Sequence, residues 1–207
     1  MAQRQKEKFA NRMPKTRDFL YYKGHYYKSE AEKRKLSPAE RERLNANLLD
    51  AVGKGNNDDI VRLIKAGANI NARGNGGERA LQGAALNGYA QTCALLIQEY
   101  AKLGKDAKKL IIAKYGYNNG RTILHGAACN GHTETCKFLI EEYAKSGGDR
   151  KELIAAKDRG GWTPMMYAAK DRHTQTAHFL AVELIKATFG NETATAFMKS
   201  FGECVAT

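Results

Sequence analysis

Long apolar runs are missing from this chain. Nothing in its 207 residues approaches the ~18 consecutive apolar residues that a membrane-spanning helix needs. The first residues hold no apolar stretch of the kind a secretory leader requires. Cysteine is scarce: four residues in no regular framework exclude a disulfide scaffold and point to a reducing compartment. Acid is short as well, with 22 Asp and Glu against 34 Lys and Arg and a net charge of +12. Tryptophan occurs once. The arrangements that carry catalysis are also absent, with no Ser/His/Asp order, no paired acids at a foreseeable cleft and no phosphate-cradling glycine loop. The sequence therefore predicts no enzyme, no cofactor and no small-molecule substrate.

The positive charge is unevenly spread. Residues 1–37 hold eleven Lys and Arg against four Asp and Glu, a net of +7; the other 170 hold 23 against 18, a net of +5. Within this head, FLYYKGHYYK (Phe19 to Lys28) sets paired tyrosines on either side of Lys23-Gly24. Aromatics favour strands and glycine suits a tight turn, so a small hairpin is expected there. Three roles stay open for the head. It is a second arm for an acidic protein, a binder of nucleic acid or anionic membrane through Tyr21, Tyr22, Tyr26 and Tyr27, or a segment folded back on the body with its lysines solvated.

What the rest of the chain has in abundance is self-similarity. Ala127-Ala128 lies 43 residues after Ala84-Ala85 and 41 before Ala168-Ala169, and the weaker Ala51-Val52 lies 33 before Ala84. The surroundings keep register. Gly55, Gly88 and Gly131 answer one another, as do Cys93 and Cys136, Thr122 and Thr163, and the segments INAR from Ile70 and IAAK from Ile154. Four copies of a unit of about 33 residues, two of them lengthened, account for the pattern.

Copy three reads TILHGAACNGH, copy four reads GWTPMMYAA, and copy one closes with AGANINAR. On these motifs the chain resembles the ankyrin repeat family over roughly Asn45 to Phe189. Copy two departs from the pattern at its front, with Arg79 in the threonine place and Gln82 in the histidine place. The resemblance implies an all-α solenoid of stacked helix-turn-helix units with short hairpin tips, read as one array. Physics agrees: small alanine pairs let two antiparallel helices approach closely, and Gly55, Gly88 and Gly131 suit a turn that needs positive φ.

The expected division is a basic, tyrosine-rich extension over 1–37, an array over 38–189 and a capping helix with tail over 190–207. The units fall at about 38–73, 74–114, 115–157 and 158–189. Ser37-Pro38-Ala39-Glu40 predicts a helix start with a capping box, running to about Val52 with Leu44, Leu48 and Leu49 facing the next unit. A second helix is expected from Asn57, with Asp58 and Asp59 at its positive end. In units two and three, LGKDAKKLIIAK and SGGDRKELIAAK follow the second helix and add ten and eight residues. Gly104 and Gly147-Gly148 should end that helix, and Leu110-Ile111 and Leu153-Ile154 should return the chain to the core through a short helical turn. Because it occurs twice, the insertion belongs to the repeat. After Gly190-Asn191, Glu192 to Phe201 is expected to cap the array with Phe197, Met198 and Phe201.

His125, Cys129, His132 and Cys136 spell His-x3-Cys-x2-His-x3-Cys, four soft metal ligands on paper. The repeat explains each of them instead. The resemblance places His125 in bonds within the repeat turns and His132 at the helix–helix turn, while Cys136 takes an apolar slot shared with Cys93. No metal is expected. In the family, partners bind a concave side made by the tips and first helices. Transferred by register, that side offers Asn75, Glu78 and Asn87, then Tyr117, Asn118, Arg121 and Asn130, then Arg159, Trp162, Tyr167 and Lys170. Trp162 falls at a tip beside Arg159 and Arg121, and these residue types dominate interface energy. Packing on the neighbouring hairpin is its competing role.

The sequence thus predicts a monomeric, cytoplasmic, non-enzymatic binder of another protein. The resemblance extends to arrays of intracellular bacteria and large viruses that act on host proteins, and in that case the compartment is the host cytoplasm. The alternative is electrostatic binding of nucleic acid or anionic membrane through residues 1–37.

Overall fold

Alanine at fixed intervals sets the geometry of the array. The computed structural model describes residues 20–22, 25–27, 36–74, 77–115, 119–195 and 199. Ahead of the array, strands β1 (Leu20–Tyr22) and β2 (His25–Tyr27) pair antiparallel, with Leu20 opposite Tyr27 and Tyr22 opposite His25. This is the hairpin expected of FLYYKGHYYK. The remainder is helical: α1 (Pro38–Gly53) and α2 (Asn57–Lys65); α3 (Ala80–Leu86), α4 (Ala90–Lys102) and the short α5 (Ala107–Ile112); α6 (Ile123–Cys129), α7 (Thr133–Lys145) and the short α8 (Arg150–Ile154); α9 (Pro164–Lys170) and α10 (Thr174–Phe189). None of the described helices is long and apolar enough to cross a membrane.

Three hairpin tips precede α3, α6 and α9. Each is closed across its base by a backbone bond, from the Gly74 N–H to Glu78 O (2.8 Å), the Tyr115 N–H to Arg121 O (3.0 Å) and the Asp158 N–H to Trp162 O (3.0 Å), with a second, tighter bond inside each tip. The helix starts follow local chemistry. At α1 the Ser37 hydroxyl accepts the Glu40 N–H at 3.2 Å while the Glu40 carboxylate accepts the Ser37 N–H at 2.9 Å. Pro38 takes the first helical position, where its missing N–H costs nothing.

The first helices α1, α3, α6 and α9 pack side by side. Ala84, Ala85, Ala127, Ala128 and Ala168 are wholly buried at these contacts. A Cβ on Gly126 would sit 3.1 Å from Leu86, so larger residues would push α3 and α6 apart. The second helices close the core from the other side with Leu96, Leu139, Ile140 and Leu180, and both Cys93 and Cys136 lie fully inside. Burial pushes those two thiols up to about 12, which leaves them protonated and inert. The repeated insertions behave as expected. Gly104 and Gly147, at φ 71° and 79°, follow the ends of α4 and α7, and α5 and α8 bury Leu110, Ile111, Leu153 and Ile154. They also clamp one unit to the next, through Lys108 Nζ to Gly147 O (3.2 Å) and Lys114 Nζ to Lys157 O (2.9 Å).

At each turn between first and second helix one residue is left-handed: Gly55, Gly88 and Gly131 at φ 65°, 77° and 73°, and then Arg172 at φ 63°. The residue after it returns its N–H five residues back, as Tyr89 does to Ala84 O and His132 to Ala127 O, both at 2.9 Å. That bond closes the helix end. A ring from the next unit then covers the glycine. A Cβ on Gly88 would lie 2.5 Å from His132 Nδ1, and one on Gly131 would lie 2.4 Å from His173 Nδ1. Arg172, exposed at the last of these turns, keeps the conformational strain. An L side chain in this region costs roughly 1–2 kcal/mol. Arg172→Gly should therefore stabilise the array by about 1 kcal/mol after the glycine's added unfolded-state freedom is subtracted. A urea midpoint that rises with an unchanged slope would record it.

At the other end Gly190, at φ 90°, follows α10. Residues 191–195 are helical and Ala194 is buried. Phe197, Met198 and Phe201, expected to cap the array, lie outside the described residues.

Candidate functional site

The third tip is organised by a residue that the repeat register did not single out. Asp158 opens the sequence Asp-Arg-Gly-Gly-Trp, in which an aspartate folds back onto its own backbone. Its Oδ1 accepts the N–H groups of Gly160 (2.8 Å) and Trp162 (2.9 Å), and its Oδ2 accepts the Tyr167 hydroxyl (2.7 Å) and the Asn119 amide (3.3 Å). The carboxylate is fully buried and lies 3.9 Å from Arg121 Nε. These donors, Tyr167 first, hold the Asp158 carboxyl below the usual carboxylate range despite its burial.

Around this carboxylate the candidate residues assemble. The Arg121 guanidinium stacks on the Tyr167 ring at 4.0 Å. Trp162 packs against the same ring with centroids 5.3 Å apart, and Lys170 Nζ lies 5.5 Å from the centre of the Trp162 ring. Trp162 nonetheless stays 39% exposed. Arg159 and Lys170 are exposed beside it. Between the second and third tips opens a cavity of about 200 Å³ lined by Lys114, Gly120, Asp158 and Arg159.

Two candidates depart from the surface role expected of them. Tyr167 is buried: its hydroxyl donates to Asp158 and its ring packs against Arg121 and Trp162. Arg121 is only partly exposed and its Nε is enclosed without a hydrogen bond, so it belongs as much to the packing as to the surface. The rest are distributed. Asn130 is exposed and its amide donates to Leu86 O at 2.7 Å, tying α6 to α3. Asn87 is exposed and Glu78 half-buried at the first tip. Asn75, Tyr117 and Asn118 lie outside the described residues. Sequence reasoning missed Asp158, Asn119, Lys114 and Lys157; the Asp-x-Gly at 158–160 was the available signal for the first.

The residues of the His/Cys spelling are each engaged separately. His125 is buried; its Nδ1 faces the Thr122 N–H (3.1 Å) and hydroxyl (2.8 Å), and its Nε2 faces Trp162 O (3.0 Å). The His132 Nε2 lies 2.9 Å from Leu86 O, and the Cys129 thiol donates to Asp171 at 3.1 Å. Among the described residues no group of three or more His, Cys, Asp or Glu is placed to hold a metal.

His125 and Asp158 together predict an acid sensitivity. Burial lowers the His125 pKa, so its contribution to stability is complete above its unfolded value of about 6.5 and is lost as pH falls below it. The Asp158 pKa is lowered too, so its contribution is present above about 3.9 and is lost as pH falls through the folded value. Thermal melts between pH 7.5 and 3 should show a decline in two stages. In His125→Gln, which installs the residue found at Gln82, the upper stage should vanish.

A sequence profile of ankyrin repeats, built of three copies, matches residues 48–147 and 100–193. No curated protein matches the chain.

Proposed function

The chain belongs to the ankyrin repeat family, and on that premise we propose that it is a non-enzymatic module that binds another protein on the face made by its tips and first helices, centred on Trp162. Ankyrin repeats generally mediate protein–protein interaction. The observation that carries the proposal is an exposed indole held in a fixed pose. Trp162 rests on Tyr167, Tyr167 is bonded to Asp158, and Asp158 is held by the backbone of the same tip. A large aromatic presented rigidly loses little entropy on binding and makes an effective anchor. Asn75, Glu78, Asn87, Tyr117, Asn118, Arg121, Asn130, Arg159 and Lys170 are the remaining residues proposed for this face. Residues 1–37, 38–189 and 190–207 are its proposed extension, array and cap. A host-directed role in a reducing cytoplasm is the finer form of the reading.

The test is capture of binding proteins from source and host lysates with wild type and with Trp162→Ala. Trp162→Ala should lose at least 90% of the captured partner while its melting temperature moves by no more than about 2 °C. Arg121→Ala is the poorer probe, because it also strips Tyr167 and Asp158 of a neighbour. Capture unaffected by Trp162→Ala would end the proposal.

A second reading rests on the concentration of charge in residues 1–37: the head binds a polyanion. Removing residues 1–35, which keeps the Ser37 cap, should then abolish a steeply salt-dependent affinity for DNA or anionic vesicles. Absence of such affinity in the whole chain at low salt would dispose of it.

A further inference from the structure

From the second unit onward charge is sorted by side, whereas the first helix of the first unit, α1, carries Glu40, Glu42 and Asp50. The first helices α3, α6 and α9 contain no acidic residue, whereas the second helices carry several, as Glu99 on α4, Glu142 on α7 and Glu183 on α10 do. At the tips the sorting becomes a row. Arg73, Lys114 and Lys157 each occupy the position just before a tip, one per unit, and all three are exposed. Arg159 adds a fourth exposed cation at the third tip. None of these four has a carboxylate partner among the described residues. The two acids of the described tip residues do not cancel them. Glu78 lies at the first tip with its carboxylate turned onto Gly74, and Asp158 is buried with both oxygens saturated. The cavity between the second and third tips therefore presents two cations with no carboxylate partner among the described residues, Arg159 and Lys114, the latter also donating to Lys157 O at 2.9 Å.

We infer that the partner presents an extended acidic peptide segment, which runs across the tips and places one carboxylate side chain in the cavity between Lys114 and Arg159, beside Trp162. This rests on the tip-face reading above and specifies its partner. A cavity of about 200 Å³ has room for a carboxylate side chain with water. Unpaired surface cations in a row attract a polyanion and set its register.

A nucleic acid fits the same row less well, for two reasons. The backbone N–H groups of Gly160 and Trp162, which in an open turn would cradle a phosphate, are already taken by Asp158. Single strands also need successive aromatic faces for stacking, and among the described tip residues Trp162 alone is an exposed aromatic, Tyr115 and Tyr167 being buried.

The test uses fluorescein-labelled deca-glutamate and the chain without residues 1–35, so that the basic head contributes nothing. Anisotropy should report saturable binding at 20 mM salt that weakens at least about tenfold in 0.3 M salt. Emission from Trp162, the only tryptophan, should change over the same titration. Lys114→Glu with Arg159→Glu should weaken binding at least about tenfold. Lys114→Gln with Arg159→Gln should give a smaller loss, and Lys137→Glu, exposed on α7, should give none. No binding at low salt, equal losses from Lys137→Glu and the tip reversals, or tighter binding of a single-stranded decanucleotide at the same residues would each overturn the inference. If Trp162→Ala releases the captured partner but the tip reversals do not, the binding face stands and the acidic segment falls. If neither releases it, both fall.

Discussion

Asp158→Ala should destabilise the array by about 3–4 kcal/mol, more than any other single polar change in the described structure. The substitution leaves the buried Tyr167 hydroxyl without its acceptor, frees the N–H groups of Gly160 and Trp162, and removes the carboxylate 3.9 Å from Arg121. Unpaired buried donors cost about 1–3 kcal/mol each, less where water reaches them, and the exposed tip will relax toward water in part. The damage should be local. In a stacked array each unit touches only its neighbours, so α9 and α10 should loosen before α3 and α4 do. Hydrogen exchange should show protection lost over residues 158–189 and kept over 80–102, and Trp162 emission should shift to the red. Asp158→Asn is the informative partner to this variant. It keeps one carbonyl acceptor and loses the charge, and should recover about half of the loss. Full stability in Asp158→Ala would mean that the tip is held by its packing alone.

Gly148→Ala should cost about 3 kcal/mol through a single methyl group. A Cβ there would lie 2.4 Å from the ring of Tyr143, which is wholly buried and cannot turn aside without breaking the 2.6 Å bond from its hydroxyl to Glu152. The preceding unit offers the control. The residue 43 positions earlier is Lys105, which carries a side chain at that position and sets its Nζ over the ring of the half-buried Tyr100, 5.3 Å from the centroid. Lys105→Ala should therefore be tolerated within about 0.5 kcal/mol. The chemical denaturation midpoint of each variant decides the comparison. If Gly148→Ala proves as mild as Lys105→Ala, the close approach of Tyr143 is not maintained in solution.

These two sites mark where the sequence was legible and where it was not. Spacing revealed the architecture because alanine pairs, turn glycines and the twice-written insertion recur in register, and a recurring pattern can be aligned against itself. Capping was legible for a similar reason: Ser37, Pro38 and Glu40 act within one helical turn. Asp158 was invisible to that method, since its counterparts are Gly74 and Tyr115 and no register predicts an unshared residue. Its partner Tyr167 falls on the surface side by register, and helical position says which side a residue is on, not whether its hydroxyl will find a buried carboxylate nine residues earlier. Arg172 is the opposite case. Its departure from glycine was visible in the sequence, but the left-handed backbone it retains was not.

The ring-over-glycine contact gives the array a polarity of assembly. Every joint pairs a bare backbone socket on the earlier unit with a flat plug on the later one: Tyr89 on Gly55, His132 on Gly88 and His173 on Gly131. A joint of that kind is exchangeable. A duplicate of the 43-residue segment from Gly88 to Asn130, inserted after Asn130, would carry a socket and a plug of its own and could lengthen the stack without redesign of either neighbour. The in-register duplicate from Tyr89 to Gly131, inserted after Arg172, would meet a side chain where its plug must go. Arg172 thus sets the one direction in which this particular stack is closed to growth by copying.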